Sequence, residues 1–181
     1  QGKIDHLVVI EGTSQGHNEV IKKAFLKGRK PLCWIKNKLE MHQLNENVML
    51  CVICDIELNY CSTIAKLLSP FSEAAQRCTI VTLQRLMDYK TEKVPEKTIV
   101  RSIQINPNFN DILQLEVPNF FTGVSASICT SKLKNDSDFS CFVIYLDIFD
   151  TVILNFLKRI GLRYDENISL ETLNNKSNLY M

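Results

Sequence analysis

Four groups of residues in this chain have types and spacings that could bind or react. The first is Leu179-Tyr180-Met181, a hydrophobic–tyrosine–any triplet carrying a terminal carboxylate. The phenol ring offers roughly 150–250 Å² of burial, and a carboxylate supplies a charge for a lysine to pair. The preceding residues, Glu171 to Asn178, are mostly polar and give little with which to anchor the end in its own core. The triplet therefore suits a pocket on another protein, although termini are also where disorder and tolerance to change concentrate.

The second group is Gly12-Thr13-Ser14-Gln15-Gly16, between the apolar run His6 to Ile10 and a helical pattern. Strand-to-helix turns of this kind often bind phosphate in α/β proteins. The segment lacks both the Gly-Lys-Ser/Thr ending of a P-loop and the three-glycine dinucleotide fingerprint. Its plainer reading is a turn with Thr13 or Ser14 capping the helix. The alternative is a small nucleotide- or phosphate-binding α/β enzyme, with a deep pocket lined by Thr13, Ser14 and an acid such as Asp147.

Cys51-Val52-Ile53-Cys54 has redox or metal spacing. A zinc site needs two more ligands, and His6, His17 and His42 stand alone. A redox pair belongs at a helix N-terminus. These thiols lie within a β-rich run, whose pleat would send them to opposite faces. Finally, Asp88, Asp147 and Asp150 sit at or after strand ends, a common location for sites in parallel sheets, but no partner of recognisable chemistry accompanies them. Neither Asp5–His6 nor His17–Glu19 makes a convincing acid/base pair, and no Gly-x-Ser-x-Gly elbow is present. The expectation is a protein without catalytic residues, metal or cofactor.

The elements that must hold these groups follow from hydrophobic period. His6 to Ile10 and Val48 to Cys54 read as buried strands, the second covered on both faces. Between them, Val20-Ile21 and Ala24 to Leu26 mark one helix face ending near Gly28. Asn59 to Cys78 reads as a helix with Ile64, Leu67, Leu68 and Phe71 on one side, kinked or divided by Pro70. Cys78 to Leu83 is a β-branched strand, making a βαβ unit that favours parallel pairing. Thr98 to Ile105 reads as an edge strand and Asn106 to Asn108 as a turn. A helix lies within Val117 to Lys134, entered after Pro118-Asn119. Phe139 to Leu146 is a strong strand. Thr151 to Leu162 is an amphipathic helix with Val152, Ile153, Phe156, Leu157 and Ile160 inward. A short helix or tail runs from Leu170. The pattern predicts a single α/β domain over residues 1–168, with a largely parallel central sheet, helices on both faces and a flexible C-terminal tail over 169–181.

Composition narrows the function. The 181 residues are 45% hydrophobic and 23% charged, enough for a substantial core. Net charge is +1, and no long basic run supports nucleic-acid binding. Lys22-Lys23, Lys27 to Lys30 and Lys36 to Lys38 read as solvated helix and turn surface. No apolar stretch approaches the roughly 20 residues of a membrane span. Seven cysteines, mostly within apolar stretches, read as buried thiols of a reducing, cytosolic compartment. A nuclear or endoplasmic-reticulum association stays open. The chain begins at Gln1, which leaves room for an upstream segment and any targeting signal in it.

Two segments together resemble the proteasome assembly chaperone 1 family. One is the strand and turn Cys78-Thr79-Ile80-Val81-Thr82-Leu83-Gln84-Arg85-Leu86-Met87-Asp88-Tyr89-Lys90-Thr91. The other is the end, Asn175-Lys176-Ser177-Asn178-Leu179-Tyr180-Met181. A fainter likeness covers Phe139 to Leu146 and the following helix, and the N-terminal third departs from the pattern. The resemblance implies an α/β domain paired with a related subunit, proteasome assembly chaperone 2. Such heterodimers bind the α-subunit ring of the 20S core particle precursor while it assembles. It further implies a tail that enters a pocket between neighbouring α subunits. Leu179 would be the hydrophobic position, Tyr180 the tyrosine, and Met181 the carboxylate donor paired with a pocket lysine.

Overall fold

The computed structural model describes residues 4–12, 15–92, 95, 97–104, 107–132, 138–164 and 167–174. A seven-stranded sheet runs through the molecule. Its strands are β1 (Ile4–Gly12), β2 (Cys33–Ile35), β3 (Leu39–Gln43), β4 (Val48–Cys54), β5 (Ala75–Gln84), β6 (Ile99–Ser102) and β7 (Phe139–Tyr145). They lie in the order β2-β3-β4-β1-β5-β7-β6. The inner four, β4, β1, β5 and β7, are parallel; β2 and β3 add antiparallel strands at one edge and β6 one at the other. The helices are α1 (Gln15–Phe25), α2 (Leu58–Ala74), α3 (Val124–Lys132), α4 (Thr151–Arg159) and α5 (Leu170–Asn174).

Strand pleating sorts the apolar side chains into two layers. Val8, Ile10, Leu50, Val52, Val81, Leu83, Phe142 and Ile144 face α1, α4 and α5. The alternate residues Leu7, Val9, Cys51, Ile53, Cys78, Ile80 and Cys141 face α2 and α3. Central strands buried on both sides have no polar face to spare, which is why β1 and β7 read as continuous apolar runs. The expected single α/β domain with helices on both faces is therefore what the chain forms.

Several local expectations change. The helix expected to reach Cys78 stops at Ala74, because Ala75 pairs with Ile4 in β1 and the strand takes over with no loop. Pro70 does not divide α2. It lies on the exposed face of the helix, as does Lys66, the residue whose carbonyl a proline at this position leaves without its helical donor. Leu67 and Val152, expected inward, are exposed. β4 and β5 are parallel but not neighbours, since β1 lies between them. The helix expected near Pro118 begins only at Val124. The β2–β3 hairpin, read as basic turn surface, closes through Asn37 in the left-handed region (φ 58°) and a bond from the Lys38 N–H to the Ile35 carbonyl (2.9 Å).

Candidate functional site

The parallel strands all end on one side of the sheet, the usual location for ligand sites in this architecture. Here Glu11 and Asn18 on that side serve the protein's own backbone, while Asn18 Oδ1, Thr82 Oγ1 and Ser125 Oγ are buried without a hydrogen-bond partner among the described residues. Glu11, buried at the end of β1, accepts from the backbone N–H groups of Val124 (2.9 Å) and Ser125 (2.7 Å). The N-terminus of α3, which would otherwise suit a phosphate, thus holds an internal carboxylate. Gly123 (φ 104°) allows the approach, for a Cβ there would stand 2.5 Å from Glu11 Oε1.

The Gly12 turn is filled in the same manner. A Cβ on Gly12 would stand 2.6 Å from Asn18 Oδ1, and Asn18 Nδ2 donates to the Ile53 carbonyl (3.2 Å), tying α1 to β4. Thr13 and Ser14 lie outside the described residues. A shallow groove of about 170 Å³ beside Asn18 is lined by Lys22, Lys38, Glu40 and Cys54. Its lysines are paired, Lys22 with Glu40 at 2.6 Å and Lys38 with Asp55 at 3.3 Å. Asp147 does not line it.

The strand-end acids also have structural duties. Asp147 accepts from the Leu86 N–H (3.1 Å), Asp150 caps α4 through the Ile153 N–H (3.1 Å), and Asp88 takes a two-pronged bond from Arg85. His17 is buried with its ring edge-on to Phe149, and burial lowers its pKa against the opposing pull of Asp147. His6, at the other end of β1, accepts at Nδ1 from Arg77 Nη2 (3.0 Å). Since arginine can only donate, the His6 proton sits on Nε2 and is given to Thr79 Oγ1 (2.9 Å). Burial first, then the Arg77 charge, lower its pKa to about 4.

Cys51 and Cys54 belong to different layers. Cys51 packs against α2 and α3, and burial pushes its thiol far up; Cys54 lies beside Asn18 at the α1 groove. The sheet separates them, so they are not a redox pair. Among the described residues no group of three His, Cys, Asp or Glu could hold a metal ion. No helix there is long and apolar enough to cross a membrane.

Leu179, Tyr180 and Met181 lie outside the described residues. Their point of departure is fixed, however. Asn174 donates to the Phe149 carbonyl (2.8 Å) and accepts from its N–H (3.0 Å), while Leu173 is fully buried. Phe149 follows the end of β7, so Asn174, the last described residue, lies on the strand-end side of the sheet. Seven residues span at most about 25 Å. The same side exposes Leu58, Met87, Phe120 and Ile148, each just beyond a strand end or just before α3. Nothing in the local pattern marks these side chains as exposed, because Met87, Phe120 and Ile148 each stand beside another apolar residue, and which of the two is the more buried is decided by the fold.

No protein-family model matches the chain, and no curated sequence matches it significantly. Solved structures do. A Thermoplasma acidophilum protein of unknown function aligns with TM-score 0.63 and 14% identity, over 97% of this chain and 85% of that one. PbaA of Pyrococcus furiosus, an archaeal homolog of proteasome-assembly chaperone, aligns with TM-score 0.60 and 12% identity, over 97% and 88%. PbaB of the same organism, an archaeal proteasome activator, aligns with TM-score 0.54 and 13% identity, over 98% and 91%. The chain therefore has the fold of these archaeal proteins across nearly its whole length.

Proposed function

We propose that this protein is a non-catalytic chaperone for assembly of the 20S proteasome α-ring, of the proteasome assembly chaperone 1 type. It acts as a heterodimer with proteasome assembly chaperone 2 in the cytosol and docks its Leu179-Tyr180-Met181 tail in a pocket between α subunits. The observation that carries this reading is the fold shared with PbaA and PbaB along the full domain. The self-occupied strand ends support action by binding, since Glu11, Asn18 and Asp147 serve the chain's own backbone. The tail's departure beside exposed Ile148 supports a single face on which tail and body meet the ring.

Magnitudes fix the division of labour. One buried large apolar side chain contributes about 1.5–3 kcal/mol, so a tail triplet alone gives only weak association. Linking it to a body contact raises avidity by about 10² to 10⁴. The body sets most of the affinity and the tail sets the register. Affinity capture from cell extract tests this. The full chain is expected to retain proteasome α subunits and a related partner. Deletion of residues 179–181 should weaken α-subunit recovery while the partner stays bound. Capture without α subunits, or recovery unaffected by the deletion, overturns the reading.

A further inference from the structure

The two edges of the sheet are finished differently. On the outer side of β6, the Ser102 N–H donates to the Leu113 carbonyl (2.9 Å) and the Leu115 N–H to the Ser102 carbonyl (2.8 Å). Ser102 and Gln114 form a parallel bridge. The covering segment then presents Glu116, whose carboxylate takes a bond from Arg101 Nε at 2.9 Å. An extended piece of chain with a carboxylate following it thus closes this edge.

The β2 edge has no such cover among the described residues, where β2 pairs with β3 alone. All three of its side chains are exposed. Trp34 is 65% exposed and the adjoining Leu32 60%, with Ile35 beside them. From Lys22 to Lys38 the sequence holds seven basic residues and no acid. Five have partners inside the domain: Lys22 with Glu40, Lys23 with the Thr172 carbonyl, Arg29 with the Leu44 carbonyl and Lys38 with Asp55, while Lys27 makes a further contact. Lys30 and Lys36, exposed at either side of β2, pair with no carboxylate among the described residues.

We propose that this edge is a docking site for an extended, acidic segment of a partner protein, added as a further strand. Lysines beside a short edge strand repel a second copy carrying the same lysines, and they attract carboxylates. Protection alone does not explain three neighbouring exposed apolar side chains, tryptophan among them, which is the residue type enriched where interfaces concentrate their energy. Strand addition supplies backbone bonds, with side-chain contacts setting preference. The proposal concerns a different surface from the tail and stands or falls separately from ring docking.

Trp34 is the chain's one tryptophan, so its fluorescence reports this edge directly. The probe is an acetylated, amidated peptide, Glu-Val-Thr-Val-Thr-Val-Glu, titrated into the full chain. A saturable blue shift is expected, with at least tenfold weaker response to the same peptide carrying lysine for both glutamates. In the double variant Lys30→Glu, Lys36→Glu that preference should reverse. Replacing the peptide's central valine by proline should abolish the shift, since proline removes a strand bond. No saturable shift, equal response to both charges, or unimpaired binding of the proline peptide overturns the proposal. So does a concentration-dependent dimer in sedimentation that Trp34→Ser dissolves, which would assign the edge to a second copy.

Discussion

The centre of the sheet and its β2 rim use side chains for opposite ends. At the centre, polar groups are drawn inward. Glu11 holds α3, Asn18 holds β4, Asp147 holds the turn at Leu86, and His6 is clasped between Arg77 and Thr79. At the rim, apolar side chains face outward, with Trp34 and Leu32 in water and Lys30 and Lys36 beside them. Leaving a buried polar group without its partner is costly, so these paired central residues are committed to stability. An exposed tryptophan gives up burial that the fold could have used, which ties its value to a partner. Substitution should therefore damage folding at the centre and association at the rim.

The largest effect is expected at Glu11. Glu11→Ala leaves the Val124 and Ser125 N–H groups buried without an acceptor and opens a void beside Gly123. Bonds to a charged acceptor contribute about 1.5–3 kcal/mol each, so a loss of about 3–5 kcal/mol is expected in urea unfolding. Glu11→Gln retains one acceptor oxygen and should lose less. A cost below about 1 kcal/mol would mean that α3 does not depend on this carboxylate, and the central region would no longer count as sealed.

Acid comes next. His6 is neutral in the fold with its pKa near 4, whereas its unfolded value is about 6.5. Between those values the unfolded chain takes up a proton that the folded chain refuses. The contribution is thus complete above pH 6.5, declines as pH falls, and levels off below pH 4. The difference is worth about 3 kcal/mol by linkage. His17, also lowered by burial, acts in the same direction. Urea midpoints across pH 7 to 4 should show the decline, and His6→Gln should remove most of it. A flat profile would break the picture of a clasped, neutral ring.

A smaller effect separates the two sheet edges. Arg101 bonds to Glu116, and both that carboxylate and the guanidinium bond to the Tyr89 hydroxyl. Arg101→Ala is expected to cost about 1–2 kcal/mol, as a partly exposed network does. Faster amide exchange at Ser102 and Leu115 should accompany it. Unchanged exchange would show that the covering segment does not need its ion pair.

How much of this was legible beforehand depended on whether the signal was local. β1, β4, β7 and the inner face of α1 could be read because their apolar spacing belongs to the segment itself. The α2–β5 boundary could not, since Ala75 to Arg77 become strand only through pairing with β1, seventy residues earlier. The β2–β3 hairpin was hidden by its side chains. Cys33, Trp34 and Ile35 are all exposed and show no alternation, and Lys36 and Lys38 resemble turn surface. Glu11 was invisible as a cap, because Gly123 and α3 lie more than a hundred residues away and only the fold brings them together. Leu67 and Val152 had the right spacing but found no layer opposite them. Of the functional residues, the tail triplet is legible from its own residue types, whereas the lysines around β2 mask the rim as ordinary charged surface.

The smallest stability effect belongs to Trp34, and its smallness is the point. About a third of the side chain is shielded, lying on β2 opposite Glu40. At roughly 25 cal/mol per Å² the shielded part is worth at most about 2 kcal/mol, and a compact unfolded chain recovers some of that. Trp34→Ser should therefore cost about 1 kcal/mol or less in urea unfolding, well below Glu11→Ala, while binding of an acidic strand is lost. If it instead destabilised the domain as much as Glu11→Ala, the tryptophan would be holding the hairpin to the sheet. The β2 rim would then join the centre as scaffold, and the contrast between inward polar and outward apolar residues would vanish at the place where it is sharpest.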